Sequence, residues 1–320
     1  MKILITGGSG FIGTNMVEHF VNKGDEVLNI DWNAPQNSDH QKYWENVDIL
    51  DYAKLETAIT KFAPDYVVHL AARTDLYGKT LDDYKSNTVG VENMVNALRK
   101  VASAKRVVFT STQLVCARRN PVDENDYETI NFYGESKKIG EQYLRSCGDL
   151  PFEYVIVRPT SIWGPWFGAP YNNFFKMILG HRYFNIGGNR AATKTFGFVG
   201  NLIYQVETLL LKSDWNNVKG KIFYLGDRPA SPINEWAKEI GDLCGIRIRT
   251  VPFWIVKSAA IVGDFLKIFN IRFPMTSYRL TNMTTTFEND LRTTYTEAPD
   301  LPYTRLEGTK ITLAWLKDHQ

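Results

Sequence analysis

Short apolar runs without polar alternation recur along the first half of the chain, separated by longer stretches with helical periodicity. Ile3-Leu4-Ile5, Val27-Leu28-Asn29-Ile30, Tyr66-Val67-Val68-His69-Leu70, Arg106-Val107-Val108-Phe109 and Tyr154-Val155-Ile156-Val157-Arg158 have the pattern of strands covered on both faces. The stretches between them predict helices opening at Phe11, near Tyr52–Phe62, around 81–102 and over 131–146. A polar loop through Asp39-His40 and the short run Val47-Asp48-Ile49-Leu50-Asp51 complete this half. Strands alternating with helices of this length predict an α/β chain with a doubly wound parallel sheet. Beyond Gly164-Pro165 the alternation weakens. A strand at Lys221-Ile222-Phe223-Tyr224-Leu225, a helix at about 231–244 and a final helix at about 306–315 are still expected, with Gly308 near the start of the last. The reading divides the chain into 1–164 and a smaller α/β unit over 165–320, with the chain crossing back between them.

One apolar stretch, residues 253–269, is too short and too charged to span a bilayer, since it carries Lys257, Asp264 and Lys267. Those charges form a narrow polar stripe on an otherwise apolar helix. The expectation is a nearly buried helix of the C-terminal unit. A wall beside a greasy substrate and a surface touching membrane are the sharper alternatives.

The 37 basic and 35 acidic residues leave a net charge of +2, and no basic block points to nucleic acid. Cys116, Cys147 and Cys244 are few, odd in number and far apart, as expected for reduced thiols in a cytoplasm. With no CxxC or His/Cys cluster, no metal is expected. The N-terminus runs straight into a strand without a signal peptide, and the chain is expected to be cytoplasmic.

The chemistry begins at Ile3-Leu4-Ile5-Thr6-Gly7-Gly8-Ser9-Gly10-Phe11-Ile12-Gly13, a strand that turns through glycines into a helix. Gly7 permits the tight turn, Gly10 lets the backbone approach a pyrophosphate, and Gly13 lets the helix pack on the strand. The helix N-terminus, from Phe11 and Ile12, presents free N–H groups and a positive dipole end to phosphate. The second apolar run ends in Asp31, eighteen residues past Gly13, where an acid accepts both ribose hydroxyls of an adenosine. Together these predict a dinucleotide site on a Rossmann sheet. No cation follows Asp31 in Trp32-Asn33-Ala34 to rescue an added 2′-phosphate, which favours NAD over NADP.

Tyr133-Gly134-Glu135-Ser136-Lys137 places a phenol and an ammonium one helical turn apart. An unperturbed tyrosine, with a pKa of about 10, is a poor base near neutrality, and the Lys137 cation, with the positive charge of an oxidised nicotinamide, would lower that value. Thr110-Ser111-Thr112 closes the fourth long strand at the ligand edge of the sheet, where a hydroxyl holds the reacting oxygen while Tyr133 moves its proton.

In this order the elements resemble the extended short-chain dehydrogenase/reductase family, which contains the sugar-nucleotide epimerases and dehydratases. They are Gly7-x-x-Gly10-x-x-Gly13, Asp31, Asp48-Ile49, His69-Leu70-Ala71-Ala72, Asn87, Thr110-Ser111-Thr112, Tyr133-x-x-x-Lys137, Arg158-Pro159 and Gly164-Pro165. The resemblance implies NAD as cofactor, with Asp48 and Ile49 at the adenine and Leu70, Ala71 and Ala72 along the dinucleotide. Phe11, Ile12 and Thr110 join the cofactor set. Lys137 would bind the nicotinamide ribose, Pro159 and Ile162 would lie by the carboxamide, and Tyr133 and Thr112 would be catalytic with Lys137. It also implies a homodimer through the helices near 81–102 and 131–146.

The departures bear on substrate. Gln113-Leu114 stands where dehydrating members carry an acid pair, which disfavours dehydration. Cys116 replaces a frequent Tyr, and Ser161 a frequent Asn against the sugar diphosphate. Lys194-Thr195-Phe196 and Gly200-Asn201 replace an Arg–Asp–aromatic run and a later Asp, leaving Arg73, Arg182 and Arg190 as spare cations. The leading expectation is hydride transfer at a secondary alcohol of a nucleotide diphosphate sugar, with epimerisation through a ketone. The alternatives are a 3β-hydroxysteroid dehydrogenase-like oxidoreductase, suggested by Trp163, Trp166, Phe167 and the 253–269 helix, and a sugar-nucleotide dehydrogenase or reductase.

Overall fold

The apolar runs assemble into one seven-stranded parallel sheet in the computed structural model, which describes residues 1–116, 125–188, 192–269, 271 and 273–319. Six of its strands are β1 (Lys2–Thr6), β2 (Glu26–Asp31), β3 (Trp44–Asn46), β4 (Tyr66–His69), β5 (Arg106–Thr110) and β6 (Glu153–Pro159). The seventh, Ile222–Leu225, comes from the C-terminal half and pairs with β6. The order is Ile222–Leu225, β6, β5, β4, β1, β2, β3. The chain therefore winds outward in both directions from β1 and β4, and the crevice at their carboxyl ends is the binding position of such a sheet.

Alternate side chains of each strand feed two cores. Ile3, Ile5, Val68, Val108 and Val155 pack with Met16 and Phe20 of α1 (Phe11–Asn22). On the other face Leu4, Val67, Val107 and Ile156 meet Leu55 and Ile59 of α2 (Tyr52–Phe62) and Met94 and Leu98 of α3 (Val89–Leu98). Each such fully buried side chain contributes about 1.5–3 kcal/mol. α2 has the predicted bounds because Asp51 accepts the Lys54 N–H at its start and Ala63 ends it in the left-handed region.

The helix expected over 81–102 is instead a 3₁₀ segment, Leu81–Asn87, followed by α3. The break falls where the Asn87 amide turns inward, accepting from the Arg73 N–H (2.9 Å) and donating to the Arg73 carbonyl and the Ser136 hydroxyl (2.9 Å each). The final helix, Arg305–Asp318, opens with a capping box between Thr304 and Glu307.

The expectation of a nearly buried helix over 253–269 is corrected. The residues of helix Phe253–Ile268 that are fully buried are Val256, Ala260 and Gly263, one stripe at i, i+4 and i+7, with Phe253 and Ala259 partly buried beside them. That stripe lies against Met275 and Leu280, and a Cβ on Gly263 would sit 1.8 Å from the Met275 carbonyl oxygen. The contact is close but narrow, and Trp254 (69 % exposed), Phe265 (60 %) and Ile268 (75 %) face outward. No helix among the described residues is long and apolar enough to cross a membrane.

Candidate active site

The glycine turn after β1 is built from close backbone approaches. Gly7 has φ +73°, and a Cβ there would lie 2.7 Å from the Ala71 nitrogen; one on Gly13 would lie 2.1 Å from the Gly7 carbonyl oxygen. Gly10 differs, since a Cβ there would meet only that same oxygen, at 3.3 Å, with its remaining surroundings open. No side chain caps the N-terminus of α1. Phe11 and Ile12 thus begin a helix whose first N–H groups face an open backbone cradle, an arrangement that attracts phosphate.

Asp31 ends β2 beside this cradle. Its carboxylate accepts the Ser9 N–H (3.1 Å) and the Asn33 N–H (2.9 Å). Burial raises its pKa, and these N–H groups work against that rise. Three supports were not read from the sequence. Asn29 donates to the Ser9 hydroxyl (3.1 Å), Gln36 to the Ser9 carbonyl (3.1 Å), and the Trp44 indole to the Asp31 carbonyl (2.8 Å). Their only sequence signal is polarity in otherwise apolar or loop positions.

At the end of β4, the Leu70 N–H bonds to the Thr6 carbonyl (3.0 Å) and the Ala71 N–H to the Thr6 hydroxyl (3.3 Å). Ala72 follows in irregular backbone and is half-buried. The Thr6 hydroxyl also lies 2.7 Å from His69 Nδ1, and burial with the Lys137 charge pushes His69 down to about 3, so it is neutral. Asp48 accepts the Leu50 N–H (2.9 Å), while the Ile49 side chain is buried against Gly90 of α3.

The reactive cluster sits where β5 meets α4 (Phe132–Ser146). Asn131 caps α4 through the Gly134 N–H (2.7 Å), and a Cβ on Gly134 would lie 2.4 Å from the Leu114 carbonyl oxygen. This close approach sets Tyr133 against Thr112, whose hydroxyl bonds with the phenol. One turn on, Lys137 Nζ donates to the Thr110 carbonyl (2.8 Å). A buried ion pair of Arg158 and Glu141 (2.7 Å) ties β6 to the same helix. The side chains of Thr110, Ser111 and Gln113 each bury a polar oxygen with no hydrogen-bond partner among the described residues. Such an atom costs about 1–3 kcal/mol unless something bonds to it.

Without the cofactor, burial sets the electrostatics of this pair. Burial pushes Tyr133 up to about 12 and Lys137 down to about 8, so in the protein alone the lysine does not depress the phenol. Desolvation outweighs the helical neighbour because both groups are fully enclosed.

On the substrate side, β6 ends at Pro159 and a short strand carries Ser161, Ile162 and Trp163. Gln113 Nε2 donates to the Ser161 hydroxyl (3.4 Å). Of the spare cations, Arg73 is already committed to Asp75, with 2.7 and 3.2 Å contacts. Arg182 is exposed, and Arg190 lies outside the described residues. Lys194 is largely enclosed and its pKa is lowered by burial. Asn201 is structural, donating to Asp227 (3.0 Å) and to the Tyr303 carbonyl (2.8 Å). Trp163 and Phe167 belong to the main core, and Trp166 packs on Trp315 and His319. These aromatics do not form the greasy wall that the steroid alternative called on. Cys116 is buried. No group of three or more His, Cys, Asp or Glu among the described residues could hold a metal ion.

A doubly wound sheet with an uncapped glycine-turn helix, a ribose-type acid at the second strand and a Tyr–Lys pair beside a threonine defines a dinucleotide-dependent enzyme. The open face of Gly10 and the buried Asp31 fit NAD. Residues 3–213 match the model of the NAD dependent epimerase/dehydratase family, and the chain belongs to that family. It is similar to the N-acetyl-alpha-D-glucosaminyl-diphospho-ditrans,octacis-undecaprenol 4-epimerase of Escherichia coli O157:H7, at 26 % identity over 98 % of this chain and 95 % of that one. It is also similar to a 3-beta-hydroxysteroid dehydrogenase of Mycolicibacterium neoaurum, at 25 % identity over 78 % of this chain and 72 % of that one. The solved UDP-glucuronic acid 4-epimerase of Bacillus cereus, in complex with UDP-glucuronic acid and NAD, shares the fold with a TM-score of 0.74. Its identity is 18 %, and each chain is covered in full.

Proposed function

We propose that this NAD-dependent enzyme epimerises a diphosphate-activated sugar by oxidising one secondary alcohol to a ketone and reducing it from the other face. The carrying observation is that Thr112, Tyr133 and Lys137 come together at the end of β5, with Gln113 in place of an acid. Tyr133 accepts the hydroxyl proton, Thr112 holds the reacting oxygen, and Lys137 fixes the ribose while its charge faces the site. When bound, NAD accepts and returns the hydride and brings, in its oxidised form, the positive charge that a phenol raised to about 12 needs. Gly7, Gly10, Phe11, Ile12 and Gly13 hold the pyrophosphate and Asp31 the adenosine ribose. Asp48 and Ile49 flank the adenine, while Leu70, Ala71, Ala72, Thr110, Pro159 and Ile162 line the remainder. With Gln113 amidic, no side chain there can drive elimination, so the ketone waits for hydride return.

In this reading 1–164 carries the cofactor and 165–320 most of the substrate, and the enzyme is a cytoplasmic homodimer joined through α3 and α4. The exposed Val89 and Phe132 at the starts of those helices support such a contact. The sugar is carried on a nucleoside diphosphate. A polyprenyl diphosphate carrier is the second reading, favoured by the near-complete coverage of the Escherichia coli relative. Tyr133→Phe tests the assignment: turnover should fall by about 10²–10⁴-fold with NAD affinity kept. Near-wild-type turnover would place the base elsewhere.

A further inference from the structure

The helix Phe253–Ile268 has an apolar face that the fold leaves uncovered. Successive residues on a helix step by about 100°. Trp254, Ile261, Phe265 and Ile268 therefore share the side opposite the stripe of Val256, Ala260 and Gly263. All four are 59–75 % exposed, and Phe269, just beyond the helix, is 61 % exposed. This is a continuous outward ridge, unlike the scattered apolar residues of an ordinary surface. The helix is too short to span a bilayer but long enough to lie on one.

The charge around the ridge selects its partner. Between 246 and 287 the described residues carry Arg247, Arg249, Lys257, Lys267 and Arg279, all exposed, against one acid, Asp264. Asp264 is already engaged at the start of the next helix, accepting the Ser277 N–H (3.1 Å). With Arg272, the sequence over 246–287 carries six basic residues against one acid, +5 in a chain whose total is +2. A second copy of this face would oppose one positive rim with another, whereas an anionic bilayer neutralises the rim and takes up the apolar ridge together.

We propose that this helix is a membrane-docking face that seats the enzyme on an anionic lipid surface. Trp254, Ile261, Phe265 and Ile268 enter the acyl boundary, and Lys257, at the flank of that ridge, stays at the headgroups. The chain leaves this lobe at Phe287, which accepts from the Thr195 N–H (3.2 Å) and donates to the Thr193 carbonyl (2.9 Å). Thr195 in turn packs against Gly226, beside Thr160 at the end of β6. Docking therefore places the lobe that borders the candidate site next to lipid. The docking itself does not depend on the reaction proposed above; its use in reaching a lipid-carried sugar rests on the polyprenyl reading.

The test is flotation of the full chain with phosphatidylcholine vesicles and with mixed phosphatidylcholine–phosphatidylglycerol vesicles, at low and high salt. Wild type should float with the mixed vesicles, and less as salt rises. Ile261→Glu/Phe265→Glu should lower that binding by about tenfold or more, because a charge replaces apolar burial at each position. Lys257→Glu should lower it on the mixed vesicles in particular. Circular dichroism and NAD affinity of both variants should match wild type, which separates a failed docking face from a failed fold or a failed reaction. Absence of wild-type flotation with either vesicle, or equal flotation of the Ile261→Glu/Phe265→Glu variant, would overturn the proposal. So would light scattering in which that variant turns a dimer into a monomer, which would make the ridge an interface between copies.

Discussion

Replacing Gly10 and Gly13 separately by alanine divides the cofactor cradle from the packing that supports it. At Gly13 the new methyl would lie 2.1 Å from the Gly7 oxygen and 2.5 Å from Gly8 Cα, both backbone atoms. Ordinary contacts are about 3.5–4.0 Å, so the loop or α1 must move by roughly 1 Å or more. Overpacking of this kind costs about 1–3 kcal/mol, and the melting temperature should drop by several degrees. At Gly10 the backbone is extended, with φ −79° and ψ 179°, which alanine adopts without strain. The methyl would touch only the Gly7 oxygen at 3.3 Å. The smaller entropy of the unfolded alanine chain stabilises by about 0.4–1 kcal/mol, and the poorer N-cap costs up to about 1 kcal/mol, so stability should hardly change. The methyl does stand where the pyrophosphate must approach. Losing one charge-assisted hydrogen bond costs about 1.5–3 kcal/mol, which weakens NAD by roughly 10- to 100-fold. Calorimetric titration with NAD and a thermal melt on each variant read the two effects independently. Wild-type NAD affinity in Gly10→Ala would refute the cradle, and an unchanged melt in Gly13→Ala would refute the packing argument.

Two further predictions concern carboxylates. Wild type should bind NAD more tightly than NADP, and Asp31→Ala should narrow that preference by losing ribose bonds worth about 1.5–3 kcal/mol each; tighter NADP binding by wild type in the same titrations would contradict the assignment. Asp227 is pushed up to about 7 by burial, against donors on Phe198 (2.8 Å) and Asn201. Its folded pKa thus lies above its unfolded value, so its contribution to stability is complete at low pH and is lost as pH rises through about 7. The melting temperature of wild type should therefore fall relative to Asp227→Asn as pH rises from about 5 to 8, and parallel profiles would show that Asp227 does not titrate in that range.

The sheet and cofactor crevice were legible because strand burial on both faces and glycine spacing are local signals. Ile3-Leu4-Ile5 and the three glycines say what they pack against without knowledge of distant residues. The break at Asn87 was not legible, since its cause is an amide reaching Arg73 and Ser136, which are 14 and 49 positions away. Arg73 looked free because its partner Asp75 was not weighed, although the pair is only two residues apart. The sign of the Tyr133 shift needed the depth of burial, which a spacing of four residues does not convey. The 253–268 helix carried the same limit in another form. Its pattern records apolar residues on most sides, and only the packing reveals that Val256, Ala260 and Gly263 are the covered side.

The central claim is a redox-neutral cycle at the Tyr133–Lys137 site, and one measurement addresses it most directly. Purified enzyme is incubated with NAD and a panel of UDP-, GDP-, CDP- and dTDP-sugars, followed by NMR of the sugar and absorbance of NADH. The account predicts that one pair of sugars interconverts to a fixed ratio while free NADH stays flat. Stoichiometric NADH with a persistent keto product would contradict it in favour of a dehydrogenase, and oxidation of a hydroxysteroid with no sugar turned over would contradict the substrate class.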